Sequence, residues 1–222
     1  MKQWLTLLII AGSLQSAVAQ TDISAFFRQL QTFNAKFSQT VVQDGKTVQS
    51  SIGTVQLKKP LKFFWDYQTP EKMQLISDGK QFYHYDIELA QVTAKPIAEV
   101  TGSALIDLLS DKERLDERFN IVHLNKSAIK KDFPQHGRQW TKVADDFYQL
   151  TPKQITEENQ ATKVIIGLSS AQKLRVFYAE DAYGENSFIF NKVKQNQKIS
   201  DKHFHFTTPK GVDLLGVDVL GG

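Results

Sequence analysis

Between Pro60 and Pro70 the chain reads Leu-Lys-Phe-Phe-Trp-Asp-Tyr-Gln-Thr, so that Leu61, Phe63, Trp65 and Tyr67 alternate with Lys62, Phe64, Asp66 and Gln68. A period of two is the signature of a half-buried strand. With three aromatics and a leucine on one face, this strand needs a deep apolar partner, because each such side chain gains about 1.5–3 kcal/mol on leaving water. An ordinary packed core or an apolar ligand would meet that need, and the strand alone leaves both open.

The 222 residues are one domain's worth, enough to bury roughly 70% of the unfolded surface without disulfides or metals. Met1 to Ala19 reads as a secretory signal: Lys2 gives the positive start, Leu5 to Leu14 the apolar run, and Ala17-Val18-Ala19 the small-residue cleavage site. That run is shorter than the roughly 20 residues of a membrane-spanning helix. The expectation is an exported, soluble single domain over residues 20–222. Cysteine is absent, which excludes disulfides, thiolate chemistry and lipid attachment through an N-terminal cysteine. A net charge of +3 with scattered lysines is too even to suggest nucleic acid as a partner.

After the signal, Thr21 or Asp22 can cap a helix carrying Ile23, Phe26, Phe27, Leu30 and Phe33 at helical spacing. From Ala35 the period becomes two, and Asp44-Gly45 reads as a hairpin turn leading into a strand over Thr47 to Leu57, with Gly53 as a bulge or bend. Beyond Pro70, Met73 to Ile76 and Gln81 to Asp86 form a hairpin around Ser77-Asp78-Gly79-Lys80, with a short strand near Gln91 to Ala94. Thr101 or Ser103 can cap a short helix with Ala104, Leu105, Leu108 and Leu109 on one stripe, followed by the charged run Asp111 to Arg118. A helix this short is held by packing rather than propensity. Strands are then expected over Phe119–Leu124, Gln139–Val143, Phe147–Leu150, Thr162–Leu168, Leu174–Ala179, Ser187–Val193 and Lys202–Phe206. Antiparallel pairing joins such strands without crossover helices. The order of elements predicts one large curved sheet, or incomplete barrel, with a few helices on its concave side.

No catalytic constellation emerges. His203 and His205 would share a strand face, but no third ligand is placed by spacing. Ser170 and Lys173 form a Ser-x-x-Lys in an expected turn, without its companion motifs. There is no Gly-x-Ser-x-Gly, phosphate loop or His-Glu-x-x-His. Neither metal nor cofactor is expected, and a container or binding surface is favoured over an enzyme.

Several phrases recur in a fixed order: Phe37-Ser38-Gln39, Gly53 before Val55-Gln56-Leu57, Lys59-Pro60 before Phe63-Phe64-Trp65, Pro70, Ser77-Asp78-Gly79-Lys80, Tyr85-Asp86, Gln91-Val92-Thr93 and Phe204 to Val212. In this set the chain closely resembles the LolA family of periplasmic lipoprotein carriers. The resemblance implies an unclosed antiparallel barrel with helices as a lid over an apolar cavity. It also implies a monomer that receives lipoproteins from an inner-membrane ATP-driven releasing complex and passes them to the outer-membrane receptor LolB. On that reading Leu61, Phe63, Trp65, Tyr67, Leu75, Tyr83, Tyr85 and Val92 are candidates for contacting acyl chains, with Phe63 matching the family's strand phenylalanine. Phe26, Leu30, Leu105, Leu108 and Leu109 are candidates for the lid. Lys59 stands where the family's arginine latches that lid, and lysine lacks arginine's planar fork. The alternative is a lipid-sensing or regulatory module on a similar half-barrel.

Overall fold

The computed structural model describes residues 22–100, 108, 115–154 and 161–216. Its first half runs α1 (Ile23–Gln29), β1 (Thr32–Gln43), β2 (Lys46–Lys58), β3 (Lys62–Thr69), β4 (Met73–Asp78), β5 (Gln81–Asp86) and β6 (Gln91–Pro96). The second half runs α2 (Leu115–Arg118), β7 (Phe119–Leu124), α3 (Lys126–Asp132), α4 (Gly137–Val143), β8 (Asp146–Pro152), β9 (Lys163–Leu168), β10 (Leu174–Asp181), β11 (Gly184–Gln195) and β12 (Asp213–Leu215). Among the described residues all twelve strands join one sheet in the order β12-β6-β5-β4-β3-β2-β1-β11-β10-β9-β8-β7. Because β12 and β7 end the series, the sheet is open rather than closed into a barrel.

Local chemistry explains the elements. The Asp22 carboxylate accepts from the Ala25 N–H at 3.1 Å and caps α1. Asp44 and Gly45 take φ of 49° and 72°, the doubly left-handed turn whose twist matches a hairpin. At Gly53 the β2–β3 register shifts, as expected. A Cβ there would lie 2.1 Å from the Asp66 carbonyl and 2.7 Å from the Phe37 ring. The missing side chain is the space that the Phe37 ring occupies.

Curvature follows from ring contacts. Trp65 on β3 and Phe188 on β11 are three strand steps apart, about 14 Å on a flat sheet, yet their ring centroids lie 5.3 Å apart, with Phe37 between them at 5.1 and 5.8 Å. The face that carries these rings is concave, and α1 packs into it. Two separate elements cover the convex face. The α3–α4 pair buries Ile129, Phe133 and Trp140 against Phe147, Ile165, Val176 and Tyr178, and the segment after β11 lies over β3 and β4 through the 3-10 turn Asp201–Phe204.

Three expectations are corrected. Phe33 belongs to β1 rather than to the first helix, because α1 stops at Gln29 and Leu30 is already extended. Gln139–Val143 is the core of α4, not a strand: the buried residues are His136, Gly137, Trp140, Thr141 and Ala144, which recur at the three- and four-residue spacing of a helix face rather than at period two. Lys202–Phe206 is a 3-10 turn and extended chain, started by the Ser200 hydroxyl accepting from the Lys202 N–H, so His203 and His205 share no strand face. The open antiparallel sheet is as expected, with the three-residue β12 added at its edge parallel to β6.

Candidate functional site

The concave face is apolar from β3 across to β9. Phe63 and Trp65 from β3, Val55 and Leu57 from β2, Phe33 and Phe37 from β1, Phe188 and Phe190 from β11 and Phe177 from β10 form one cluster. Into it α1 inserts Ile23 and Phe27, and Leu30 follows from the extended C-cap, all at most 3% exposed, while Leu108 joins them at 2%. The site is therefore filled by the protein's own helix.

Most of the lid candidates are placed here. Leu30 and Leu108 are buried in the cluster, while Phe26 is only partly buried and meets Phe27 edge-on at 5.2 Å. The plug is thus Ile23 and Phe27, one turn apart on the helix face by i+4 spacing, together with Leu30 at the extended C-cap. Leu105 and Leu109 lie outside the described residues. The Lys59 ammonium donates to the Phe27 carbonyl at 2.7 Å.

The strand candidates divide between two faces. Phe63 and Trp65 are buried on the concave face, with Leu61, Tyr67 and Leu75 partly buried against the same cluster. Burial drives the Tyr67 hydroxyl pKa far above its ordinary value. Tyr83, Tyr85 and Val92, in contrast, point to the convex face. β5 pairs with β4 so that Leu75 faces His84 and Ser77 faces Phe82; it is the even-numbered residues of β5 that share the face of Phe63 and Trp65. Tyr83 and Tyr85 pack instead on Phe206, with ring centroids 4.9 and 6.0 Å away, and Val92, opposite Tyr85 on β6, is fully buried there.

Phe82 takes the place expected of the tyrosines, 6.1 Å from Phe63. Phe37, Phe177, Phe188 and Phe190 line the same face without being among the sequence candidates for cargo contact; Phe177 lies in the continuous apolar run Val176–Ala179, where neither face stands out. His84 also faces inward between Leu75 and Thr93, and its Nε2 is buried without a hydrogen-bond partner among the described residues.

Fold and site together define an open half-barrel whose apolar concave face is plugged by its own N-terminal helix. No helix among the described residues is long and apolar enough to cross a membrane. The family described as "Outer membrane lipoprotein carrier protein LolA" matches residues 28–207, and the chain belongs to that family. An outer-membrane lipoprotein carrier protein of Pectobacterium carotovorum is 32% identical over 219 residues, spanning 96% of this chain and 98% of the relative. Another from Nitrosospira multiformis is 29% identical over 196 residues, spanning 87% and 86%. Among solved structures, a LolA superfamily protein from Nitrosomonas europaea overlays with a TM-score of 0.44 at 10% identity, covering 83% of this chain and 96% of that one.

Proposed function

We propose that this chain carries lipoproteins across the periplasm by taking their acyl chains against the concave face in place of α1. One observation carries the reading: Ile23 and Phe27 of a seven-residue helix, with Leu30 at its C-cap, already occupy that face. So short a helix has little stability of its own, and it can be exchanged for another apolar occupant.

The exchange answers a problem of magnitude. Each buried CH₂ is worth about 0.8 kcal/mol, so two or three long acyl chains would bind too tightly to release. Displacing three buried apolar side chains costs about 1.5–3 kcal/mol each, and this offsets part of the gain. Cargo is then held in a transferable range. Passage from an inner-membrane ATP-driven releasing complex to this chain, and onward to an outer-membrane receptor such as LolB, runs downhill when each acceptor binds more tightly than the last. Nucleotide and bond chemistry are not needed at this step, which fits a carrier rather than an enzyme. An export signal over residues 1–19 ahead of one domain suits a periplasmic location.

The test is displacement of an apolar fluorescent dye from the mature protein by a triacylated lipopeptide, with the unacylated peptide as control. Displacement by the acylated peptide alone is expected. Equal displacement by both, or no dye binding, would return the concave face to an ordinary core.

A further inference from the structure

The concave face is not apolar throughout. Toward the Asp44–Gly45 turn, the ladder places Gln39 on β1 between Ser51 on β2 and Phe188 on β11, one pair beyond Phe37, Gly53 and Phe190. Asn186 comes next on β11, opposite Val41 on one side and Ala179 on the other, and Gln49 Nε2 donates to Ser51 Oγ at 3.1 Å. The Phe37–Trp65–Phe188 cluster therefore ends in a polar band. Within it Gln39 is only 8% exposed. Its Nε2 donates to Asn186 Oδ1 at 2.9 Å, while its Oε1 is buried with no hydrogen-bond partner among the described residues.

A buried acceptor without a donor is destabilising, and sheet proteins seldom retain one. A leucine at this position would fill the same space beside Phe188 without that cost. The orphan oxygen makes physical sense if a donor arrives with a ligand. Asn186 fixes the amide by holding its nitrogen, which leaves the carbonyl as a preset acceptor where the aromatic floor gives way to polar groups.

We propose that Gln39 is a polar subsite for the junction at which an acyl chain meets a peptide: its Oε1 accepts an amide N–H from an N-acylated terminus while the chain lies along Phe37, Phe188 and Trp65. This rests on the carrier reading and adds selectivity to it. An ester at the same place offers no donor and sets two acceptors against each other, so amide-linked chains are favoured over ester-linked ones.

The experiment uses two probes that differ by one atom: a peptide with a palmitoyl amide at its N-terminus, and its analogue with oxygen replacing that amide nitrogen. Displacement of an apolar dye is measured on the wild type and on Gln39→Met. The amide probe is expected to displace dye from the wild type at about fivefold lower concentration, the scale of one neutral hydrogen bond, and Gln39→Met should abolish the difference. Equal displacement by both probes in the wild type overturns the proposal without recourse to the variant. An undiminished preference in a folded Gln39→Met protein also overturns it. Displacement by neither probe would remove the carrier reading, and this inference with it.

Discussion

The Lys59 ammonium and the Phe27 carbonyl, 2.7 Å apart, join the strand end before Pro60 to the last turn of α1. That carbonyl is one of the acceptors a helix leaves open at its C-terminus: the Gln31 N–H, which would reach it in a longer helix, is taken by Asn196 Oδ1 at 2.7 Å. A cation there also meets the negative end of the helix dipole.

Lys59→Leu removes this bond while keeping an apolar stem. A hydrogen bond from a charged donor contributes about 1.5–3 kcal/mol, so dye uptake by the empty protein should quicken by roughly an order of magnitude and release of bound lipopeptide should slow, because the helix recloses less readily. Lys59→Arg, which can chelate neighbouring acceptors, should slow uptake. Stopped-flow fluorescence reads both rates, and identical rates in all three proteins would separate Lys59 from the opening step.

Phe27 tests the plug itself. Phe27→Ala leaves a cavity and should cost about 3–5 kcal/mol of stability, which for a chain of this length lowers Tm by roughly 2–4 °C per kcal/mol. Since the same packing competes with ligand, the variant should bind an acylated probe more tightly than wild type. A parallel loss of stability and affinity would mean that Phe27 supports the site rather than occupying it.

The pattern of legible and illegible features has a common cause. Phe63 and Trp65 were readable because their alternation runs unbroken between two prolines, and Asp22, Asp44-Gly45 and Gly53 were readable because each performs a local backbone task. The face of Tyr83 and Tyr85 was not, since it depends on how many residues the Asp78–Gly79 turn consumes before β5 pairs, and a shift of one residue exchanges faces. α4 was hidden by its shortness: with seven residues, a few polar positions in between imitate period two. That Phe206, rather than cargo, covers Tyr83 depends on a segment more than a hundred residues away in sequence, which no local pattern announces.

Gly53→Ala should be far more damaging than an ordinary strand substitution. The added Cβ meets a backbone oxygen at 2.1 Å as well as the Phe37 ring, so β2 or β3 must move rather than a side-chain tip. Overpacking of this kind costs about 1–3 kcal/mol or more. Chemical denaturation, together with Trp65 fluorescence as a reporter of the displaced Phe37 ring, checks it. A stability loss below about 0.5 kcal/mol would show that the hairpin absorbs the methyl group.

Acid should loosen the C-terminal covering of the convex face before the sheet unfolds. The Asp201 carboxylate receives hydrogen bonds from Lys58 at 2.6 Å and Lys62 at 2.8 Å, and these draw its pKa down to about 2. Its folded value lies below the ordinary carboxylate value of about 4. The contribution is therefore fully present above about pH 4 and is lost as pH falls toward about 2. Because Asp201 begins the turn that brings Phe204 and Phe206 onto the sheet, its protonation should free the contact between Phe206 and Tyr83. Tyr83 ring signals followed by NMR should shift over this window in wild type. In Asp201→Asn they should start displaced at neutral pH and show little further change, since a neutral amide oxygen holds the Lys58 and Lys62 ammonium groups more weakly than the carboxylate and does not titrate. An identical acid transition in both proteins would assign the pH response to another carboxylate.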